Sequence, residues 1–337
     1  MSGGVDSSLA ALILQQQGLQ VLGLSLRLGA GPDQGWQAGA RAADQMGLPH
    51  RVVEAAGPFE QKVLSPVAEA YAAGRTPNPC ALCNARVKLP LLWSAAQEEG
   101  CEALATGHYA RVLEQNSVWR LAEASHRAKS QAYFLARLDP RLLPILRLPL
   151  GELSKDQVRR RAADAGLRAA GRPESQDCCF LPPGGWDEFM AGRQAVRPGV
   201  LEDAEGRVLG QHQGLHRFTV GQRRGLGLAL GEPVYVTGLD GPRAAVRVGP
   251  RPELATTGLR ANRARWFAPP GDDETISVRF RYSHPGVGCR VSRQGDKVEA
   301  RFEQPQGAVA PGQLAVFSRD GTIMGSAWIE RSILING

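Results

Sequence analysis

The first half of the chain alternates short apolar runs with segments whose apolar residues recur at helical spacing. The apolar runs predict strands at Val21–Leu28, His50–Val53 and Ala103–Thr106. The segments with helical spacing predict helices at Ser7–Gln17, Trp36–Met46, Gln61–Ala73, Val87–Glu99 and Lys155–Ala165. Strands that alternate with helices are typical of a parallel sheet with helices on both faces, so the pattern predicts an α/β domain.

The pattern changes after about Pro182, where glycine and proline become frequent and helical spacing nearly vanishes. Short runs of β-type residues predict strands at Val200–Leu201, Val234–Thr237, Ala244–Val248, Ile276–Tyr282, Cys289–Ser292, Val298–Phe302 and Leu314–Ser318. The pairs Asp240-Gly241 and Asp320-Gly321 are turn signals between some of these runs. The second half is therefore predicted to form one or two small β domains of the barrel type.

Length and composition limit the class of protein. A chain of 337 residues predicts two or three domains. With 43% hydrophobic and 22% charged residues, the chain is neither disordered nor collagen-like. It contains no apolar run of about 18 residues and no signal peptide, so we expect a cytoplasmic protein without a membrane partner. The net charge of +7 allows a polyanionic partner without establishing one.

Six cysteines without an export signal do not predict a disulfide scaffold. They point instead to metal, redox or sulfur chemistry. Cys101 and Cys289 stand in ordinary contexts and are predicted to be small core residues.

The segment from Ser2 to Ser8, with the sequence SGGVDSS, joins two glycines to the start of a predicted helix. Backbone N–H groups at a helix N-terminus form an anion site, and the alternative is a simple capped helix start. The segment lacks the Gly-Lys-Ser/Thr of a Walker A loop and resembles the pyrophosphate loop of the PP-loop ATPases. Such a loop normally follows a central parallel strand. Because the loop here begins at Met1, we expect that the natural start lies upstream or that the sequence is truncated.

Two further segments carry cysteines in suggestive positions. In GRTPNPCALCN, the prolines at 77 and 79 predict a rigid extended loop that presents Cys80 and Cys83. The Cys-x-x-Cys spacing leaves half of a zinc site or a redox pair open as alternatives. In ESQDCCF, vicinal cysteines rarely bridge each other, so each should face a distant partner. Cys178 is predicted to be a buried apolar residue, and Cys179 to be functional.

The order of motifs along the chain resembles that of the tRNA-specific 2-thiouridylases, which are PP-loop ATPases. The motifs are SGGVDSS, GRTPNPCALCN, ATGHYAR, LPLGELSKDQVR, ESQDCCF, LHRFTVGQRRGLGL, RYSHPGV and APGQLAVF. The resemblance implies a PP-loop catalytic domain over residues 1–185, a small central domain over 186–253 and a C-terminal β-barrel over 254–337. It also implies an enzyme that uses ATP and a persulfide to replace the C2 oxygen of the wobble uridine by sulfur, releasing AMP and pyrophosphate.

The resemblance assigns roles to individual residues. Cys179 would receive the persulfide, and Cys83 would attack it, leaving a transient Cys83–Cys179 disulfide. Because this chemistry needs thiolates, we expect positive surroundings that lower the thiol pKa values. The ATP contacts implied, with Mg²⁺ assisting, are Met1, Ser2, Gly3, Gly4, Val5, Asp6, Ser7, Leu26 and Gly107. The contacts implied with the target base and tRNA are Asn78, Pro79, Cys80, His108, Lys129, Ser130, Gln131, Arg281, Tyr282 and Gln313.

The implied partners are the anticodon arm of tRNA and a persulfide donor, either a cysteine desulfurase or a sulfur-relay protein. A second mechanism stays open, in which Cys80, Cys83 and Cys179 bind an iron–sulfur cluster that carries the sulfur. Two other functions also stay open. One is a PP-loop synthetase acting on a small substrate, and the other is a non-catalytic RNA-binding protein with a degenerate ATP site.

Overall fold

The computed structural model describes residues 1–29, 35–171, 178–193, 196–271 and 274–335. Within these ranges the α-helices are α1 (Val5–Gln16), α2 (Gly35–Gln45), α3 (Ala56–Phe59), α4 (Ser65–Ala72), α5 (Pro79–Cys83), α6 (Leu89–Glu98), α7 (Ala132–Leu135), α8 (Lys155–Asp164) and α9 (Gly185–Ala191). Two π-helical turns, Glu60–Leu64 and Asn84–Lys88, directly precede α4 and α6. No helix in the described part of the chain is long and apolar enough to cross a membrane.

The strands follow the same chain order. They are β1 (Gly23–Arg27), β2 (His50–Glu54), β3 (Leu104–Ala105), β4 (Ala110–Gln115), β5 (Val118–Glu123), β6 (Leu146–Arg147), β7 (Gly199–Glu202), β8 (Val208–His212), β9 (Tyr235–Asp240), β10 (Ala245–Gly249), β11 (Thr256–Trp266), β12 (Thr275–Arg279), β13 (Val287–Gln294), β14 (Lys297–Gln306), β15 (Leu314–Arg319) and β16 (Thr322–Leu334).

The chain divides into two compact units. The first unit consists of Met1–Val63, Cys80–Phe180 and Asp320–Ile323. The second unit consists of Leu64–Pro79, Leu181–Arg319 and Met324–Gly337.

Parallel strand pairs form the sheet structure of the first unit, as the alternating pattern predicts. β1 pairs with β2 from Gly23 opposite His50 onwards, and β3 pairs with β6. The two pairs are separate sheets rather than one continuous sheet. The backbone of Met1 lies against β1, where its amine donates to the Leu24 carbonyl and its carbonyl accepts from the Ser25 hydroxyl.

The apolar face of α1 packs into the core of the first unit. Its buried residues Val5 and Leu9 belong to a cluster that also contains Val158 and Ala162 of α8. Burial of such side chains contributes roughly 1.5–3 kcal/mol each and holds the start of α1 in place. The loop that precedes α1 therefore sits on a rigid support.

Two elements of the first unit differ from the sequence-based prediction. The hairpin β4–β5 was not predicted, because its turn uses Asn116 and Ser117, both with positive φ, instead of a pair with glycine. The prediction of an extended loop around Cys80 is wrong, since this segment forms α5. Pro79 is the first residue of α5, where its missing N–H costs nothing.

Strands β8, β7, β10 and β9 form a four-stranded sheet in the second unit, in that order. β10 runs parallel to β7 and antiparallel to β9. The cluster of apolar residues beside this sheet includes Leu201, Phe218, Val236, Val246 and Val248. These residues give the small sheet a hydrophobic core of its own.

A closed barrel of six antiparallel strands follows in the second unit, as predicted. Its order is β11–β14–β13–β12–β15–β16, and β11 pairs with β16 to close it. Asp320 and Gly321 both have positive φ between β15 and β16, which confirms the predicted turn. Phe317 and Cys289 are fully buried in the barrel interior. The long strands β11 and β16 were not predicted, because arginines interrupt the apolar run of β11 and glycine and serine weaken that of β16.

Truncation of Phe317 to alanine tests the barrel core. Phe317→Ala removes a fully buried ring that lies 5.2 Å from the Trp266 ring, so it should destabilise the barrel by about 3–5 kcal/mol. Val208→Ala in β8 is the control, since Val208 is 62% exposed and should change stability by less than about 0.5 kcal/mol. Urea unfolding of both variants measures the difference. Equal stability of the two variants would contradict the role of Phe317 in the core.

Candidate nucleotide and thiol site

The glycine-rich loop makes a tight turn into α1. Gly3 has a φ of +67°, and a Cβ at this position would collide with the Ala38 backbone of α2. The Ser7 hydroxyl accepts from the Ser2 N–H at 3.2 Å and donates to the Gly4 carbonyl at 3.1 Å. These contacts fix the loop at the N-terminus of α1, where the backbone N–H groups of the first helical turn favour an anion such as phosphate.

Asp6 at the start of α1 binds two side chains from distant parts of the first unit. Lys155 Nζ lies 2.7 Å and 2.9 Å from the two carboxylate oxygens, and the Tyr109 hydroxyl donates at 2.7 Å. Lys155 is the first residue of α8, which Ser154 and Gln157 cap. The motif resemblance assigned no role to Lys155. The sequence signal that could have identified Lys155 is its position directly after the helix cap Ser154 in the motif LPLGELSKDQVR.

Gly107 packs against the backbone of the glycine-rich loop. A Cβ at Gly107 would lie 2.7 Å from the Asp6 carbonyl carbon and 2.9 Å from the Ser7 nitrogen. Only glycine permits this approach. Leu26 is the other residue outside the loop that the resemblance implies to contact ATP, and it lies in β1 opposite Val53. The structure therefore places Gly107 directly at the loop.

The thiols of two sequence motifs meet in the first unit. Cys80 and Cys83 are three residues apart in α5, so they project from the same side of the helix. Cys80 is hydrogen-bonded to Cys178, and Cys83 interacts electrostatically with Cys179. Each vicinal cysteine thus faces a different partner, as expected. The prediction that Cys178 is a buried apolar residue is wrong, because this thiol is partly exposed and hydrogen-bonded.

The two thiols of α5 differ in acidity. The hydrogen bond from Cys178 lowers the pKa of Cys80 to about 7, against an opposing effect of burial, and the Lys88 ammonium assists. Burial raises the pKa of Cys83 to about 11, because its side chain is only 8% exposed and Lys88 offsets the desolvation only in part. The expectation of a lowered thiol pKa is therefore correct for Cys80 and wrong for Cys83.

Lys88 acts on both thiols of α5. It ends the π-helical turn after α5, and its backbone N–H donates to the Cys83 thiol. Its ammonium lowers the pKa of both α5 thiols, Cys80 and Cys83.

The charge of Lys88 also acts on one group outside α5. Burial and then Lys88 lower the pKa of His108 to about 3. We call Lys88 and the groups it acts on (Cys80, Cys83 and His108) the Lys88 cluster. His108 directly follows Gly107, which packs against the glycine-rich loop, so this cluster connects the ATGHYAR motif to the thiols beside the loop.

Several residues implied to contact tRNA form internal hydrogen bonds. Ser130 is buried, and its hydroxyl accepts from the Ala124 N–H at 3.1 Å. Gln131 Oε1 accepts from the Tyr109 N–H, and the Gln131 N–H donates to the Tyr109 carbonyl. The buried Ser130 and the bonded Gln131 fix the backbone that follows Lys129.

The remaining residues implied to contact the target base or tRNA lie in the second unit. The Gln313 amide donates to the carbonyls of Thr76 and Pro77, and Asn78 beside them is buried. Arg281 is exposed two residues after the end of β12, and the neighbouring Tyr282 is partly buried. Gln313 therefore holds the segment that leads into Pro79.

The three thiols considered for an iron–sulfur cluster do not form a metal site. Within the ranges that the structure describes, no group of three or more His, Cys, Asp or Glu side chains is arranged to hold a metal ion. Cys80, Cys83 and Cys179 therefore do not fit a cluster in this arrangement, and we derive no step from one.

Three family models match the chain in succession. They are the tRNA methyl transferase HUP domain over residues 1–183, the tRNA methyl transferase PRC-barrel domain over 187–250 and the aminomethyltransferase beta-barrel domain over 256–329.

Curated relatives match over nearly the full length. The chain is 42% identical to the tRNA-specific 2-thiouridylase MnmA of Syntrophotalea carbinolica, over 98% of this chain and 97% of that protein. It is 39% identical to the protein of the same name from Pelobacter propionicus, over 100% of this chain and 98% of that one. It is also 39% identical to the protein of the same name from Sorangium cellulosum, over 99% of this chain and 91% of that protein.

The pH dependence of alkylation tests the acidity of Cys80. We expect iodoacetamide to label Cys80 with a midpoint near pH 7, while Cys83 stays largely unlabelled below about pH 9. Cys178→Ala removes the hydrogen bond to the thiolate and should slow labelling of Cys80 at pH 7 about tenfold. Cys178→Ser keeps an O–H donor and is the matched control. Peptide mass spectrometry measures each site, and a wild-type midpoint above about pH 8.5 would contradict the lowered pKa of Cys80.

Proposed function

Because the chain belongs to the tRNA-specific 2-thiouridylase family, we propose that it replaces the C2 oxygen of the wobble uridine of tRNA by sulfur. In this reaction ATP is converted to AMP and pyrophosphate. The observation that carries the proposal is the Lys88 cluster, in which one ammonium acts on the thiols of α5 and on His108, and His108 directly follows Gly107, which packs against the glycine-rich loop. A nucleotide on the loop would thus lie beside the sulfur chemistry.

The glycine-rich loop would hold the phosphates of ATP. The backbone N–H groups of Gly3 and Gly4 and the N-terminus of α1 supply donors for phosphate oxygens. The Lys155 ammonium, held by Asp6, adds a positive charge beside the loop. Mg²⁺ would bind mainly through the phosphates with Asp6 as protein carboxylate, because Mg²⁺ commonly uses one or two carboxylates plus substrate phosphates.

ATP would activate the target base. Attack of the uridine C2 oxygen on the α-phosphate releases pyrophosphate and leaves the oxygen bound to AMP. The C2 carbon then carries a good leaving group, which sulfur can displace. His108 is uncharged at neutral pH, since burial lowers its pKa to about 3. It would therefore contact the base or ribose by hydrogen bonds and not by pairing with a phosphate.

The thiols would supply the sulfur. Cys179 is exposed, so a cysteine desulfurase or a relay protein could reach it and leave a persulfide. The Cys83 thiolate would attack the Cys179 sulfur, form a Cys83–Cys179 disulfide and release hydrosulfide, which displaces AMP from C2. Lys88 stabilises the Cys83 thiolate through its ammonium and its backbone N–H, which partly offsets the effect of burial.

The remaining residues would bind the anticodon arm in the cytoplasm. Lys129 and Arg281 offer cations for phosphates, and Tyr282 offers a ring for stacking on a base. Asn78, Pro79 and Cys80 lie in the segment that would contact the target uridine. The net charge of +7 favours association with a polyanion.

Replacement of the two catalytic thiols tests the reaction. Cys83→Ser and Cys179→Ser should each abolish 2-thiouridine formation and leave tRNA affinity nearly unchanged, because both roles are chemical. Nucleoside mass spectrometry measures 2-thiouridine, and filter binding measures affinity. Cys101→Ser is the control, since Cys101 lies after α6 and has no role in the reaction. Near-normal thiolation by either catalytic variant would contradict the role of that thiol.

Removal of the cation beside the loop tests nucleotide binding. Lys155→Met should weaken ATP binding about tenfold or more, because the positive charge beside the loop is lost and the Asp6 carboxylate is left without its ion-pair partner. Lys297→Met in β14 is the matched control, since Lys297 is an exposed lysine of the second unit. The KM for ATP in tRNA-dependent AMP formation measures the effect. An unchanged KM in Lys155→Met would show that Lys155 only holds Asp6.

A further inference from the structure

Two thiols of the site have no part in the sulfur transfer described above. Cys80 and Cys178 are hydrogen-bonded to each other, and both are accessible, Cys80 being exposed and Cys178 partly exposed. Two thiols at hydrogen-bond distance need only a small movement to reach disulfide geometry. The pair is therefore placed to exchange between dithiol and disulfide.

The chain connects each member of this pair to one catalytic thiol. Cys80 lies three residues before Cys83 on the same side of α5, and Cys178 directly precedes Cys179. The electrostatic influence of Cys80 and of Cys179 on Cys83 shows that these three thiols are near one another. The two pairs thus form one four-thiol cluster.

We propose that Cys80 and Cys178 are a resolving pair, which takes over the disulfide that sulfur transfer leaves between Cys83 and Cys179. This inference rests on the proposed function, which supplies that disulfide.

The exchange balances without an added oxidant. The Cys80 thiolate attacks the Cys179 sulfur of the Cys83–Cys179 disulfide, which forms a Cys80–Cys179 bond and releases the Cys83 thiolate. The Cys178 thiolate then attacks the Cys80 sulfur, which forms a Cys80–Cys178 disulfide and releases the Cys179 thiolate. Cys80 and Cys178 are oxidised, and Cys83 and Cys179 are reduced. The protons of Cys80 and Cys178 pass to Cys83 and Cys179.

Accessibility favours this direction, and the acidity of Cys80 assists the first attack. Cys83 is buried, whereas Cys80 is exposed, so the exchange moves the oxidised pair from the buried thiol to the surface, where a dithiol reductant can reach it. An attacking thiol works best when its pKa is near the ambient pH, and that of Cys80 is about 7. Because burial raises the pKa of Cys83 to about 11, its thiolate is the slower leaving group, so the drive toward the Cys80–Cys178 disulfide comes from the accessibility of that pair to a reductant.

A single-turnover experiment tests the resolving pair. The full-length protein is reduced, loaded with persulfide by inorganic polysulfide, separated from excess reagent and mixed with tRNA and ATP in the absence of reductant. Acid quenching, alkylation of thiols, reduction and a second alkylation then mark each cysteine as reduced or oxidised. Fragment-ion mass spectrometry is required, because Cys178 and Cys179 are adjacent. A parallel sample without ATP controls for oxidation by polysulfide.

In the wild-type protein we expect one oxidised Cys80–Cys178 pair for each 2-thiouridine formed, with Cys83 and Cys179 reduced. Cys178→Ser keeps a hydrogen-bond donor for Cys80 but cannot form the disulfide. It should yield at least half of the wild-type 2-thiouridine in one turnover, with the oxidation left on Cys179. At a limiting concentration of dithiothreitol its multiple-turnover rate should fall at least fivefold, while Cys101→Ser keeps the wild-type rate.

The inference is overturned if the wild-type protein forms 2-thiouridine and the disulfide stays between Cys83 and Cys179. It is also overturned if Cys80 and Cys178 are oxidised equally without ATP. A wild-type protein that forms no 2-thiouridine overturns the proposed function itself. This outcome distinguishes a failure of the proposed function from a failure of the resolving pair.

Discussion

The charge of Lys88 is the constraint on which the candidate site depends. The imidazole of His108, near this ammonium, has a pKa of about 3, because burial disfavours its charged form. His108 is therefore uncharged at neutral pH and does not add repulsion around Lys88. The field of Lys88 is left to act on anions, which here means the thiolate of Cys80 and, once it forms during the reaction, that of Cys83. In the proposed reaction the same field would stabilise phosphate and hydrosulfide.

Local pattern predicted much of the fold, and ambiguous local signals explain the exceptions. Apolar spacing located α1, α2 and α8 to within a few residues, and the Asp320-Gly321 turn has the expected positive φ values. The hairpin β4–β5 was missed because its turn lacks glycine. The helix α5 was missed because proline at the first helical position looks the same in sequence as proline in an extended loop.

The sequence predicted several residues of the site but not the charges and pKa values that the fold gives them. Motif resemblance selected Cys83, Cys179 and the glycine-rich loop, and the structure places the two thiols near each other. Resemblance did not select Lys88 or Lys155, because their importance comes from distances that only the fold sets. For the same reason the opposite acidities of Cys80 and Cys83 could not be inferred, since they arise from burial and from the hydrogen bond of Cys178.

The central claim is that one site first joins the uridine oxygen to AMP and then replaces it by sulfur. An oxygen-18 label at C2 of the wobble uridine tests this claim most directly. If the claim is correct, the AMP released during thiolation carries the label in its phosphate, with one labelled AMP for each 2-thiouridine. Unlabelled AMP accompanied by 2-thiouridine would contradict it, because the oxygen would then have left by a route that does not involve the nucleotide.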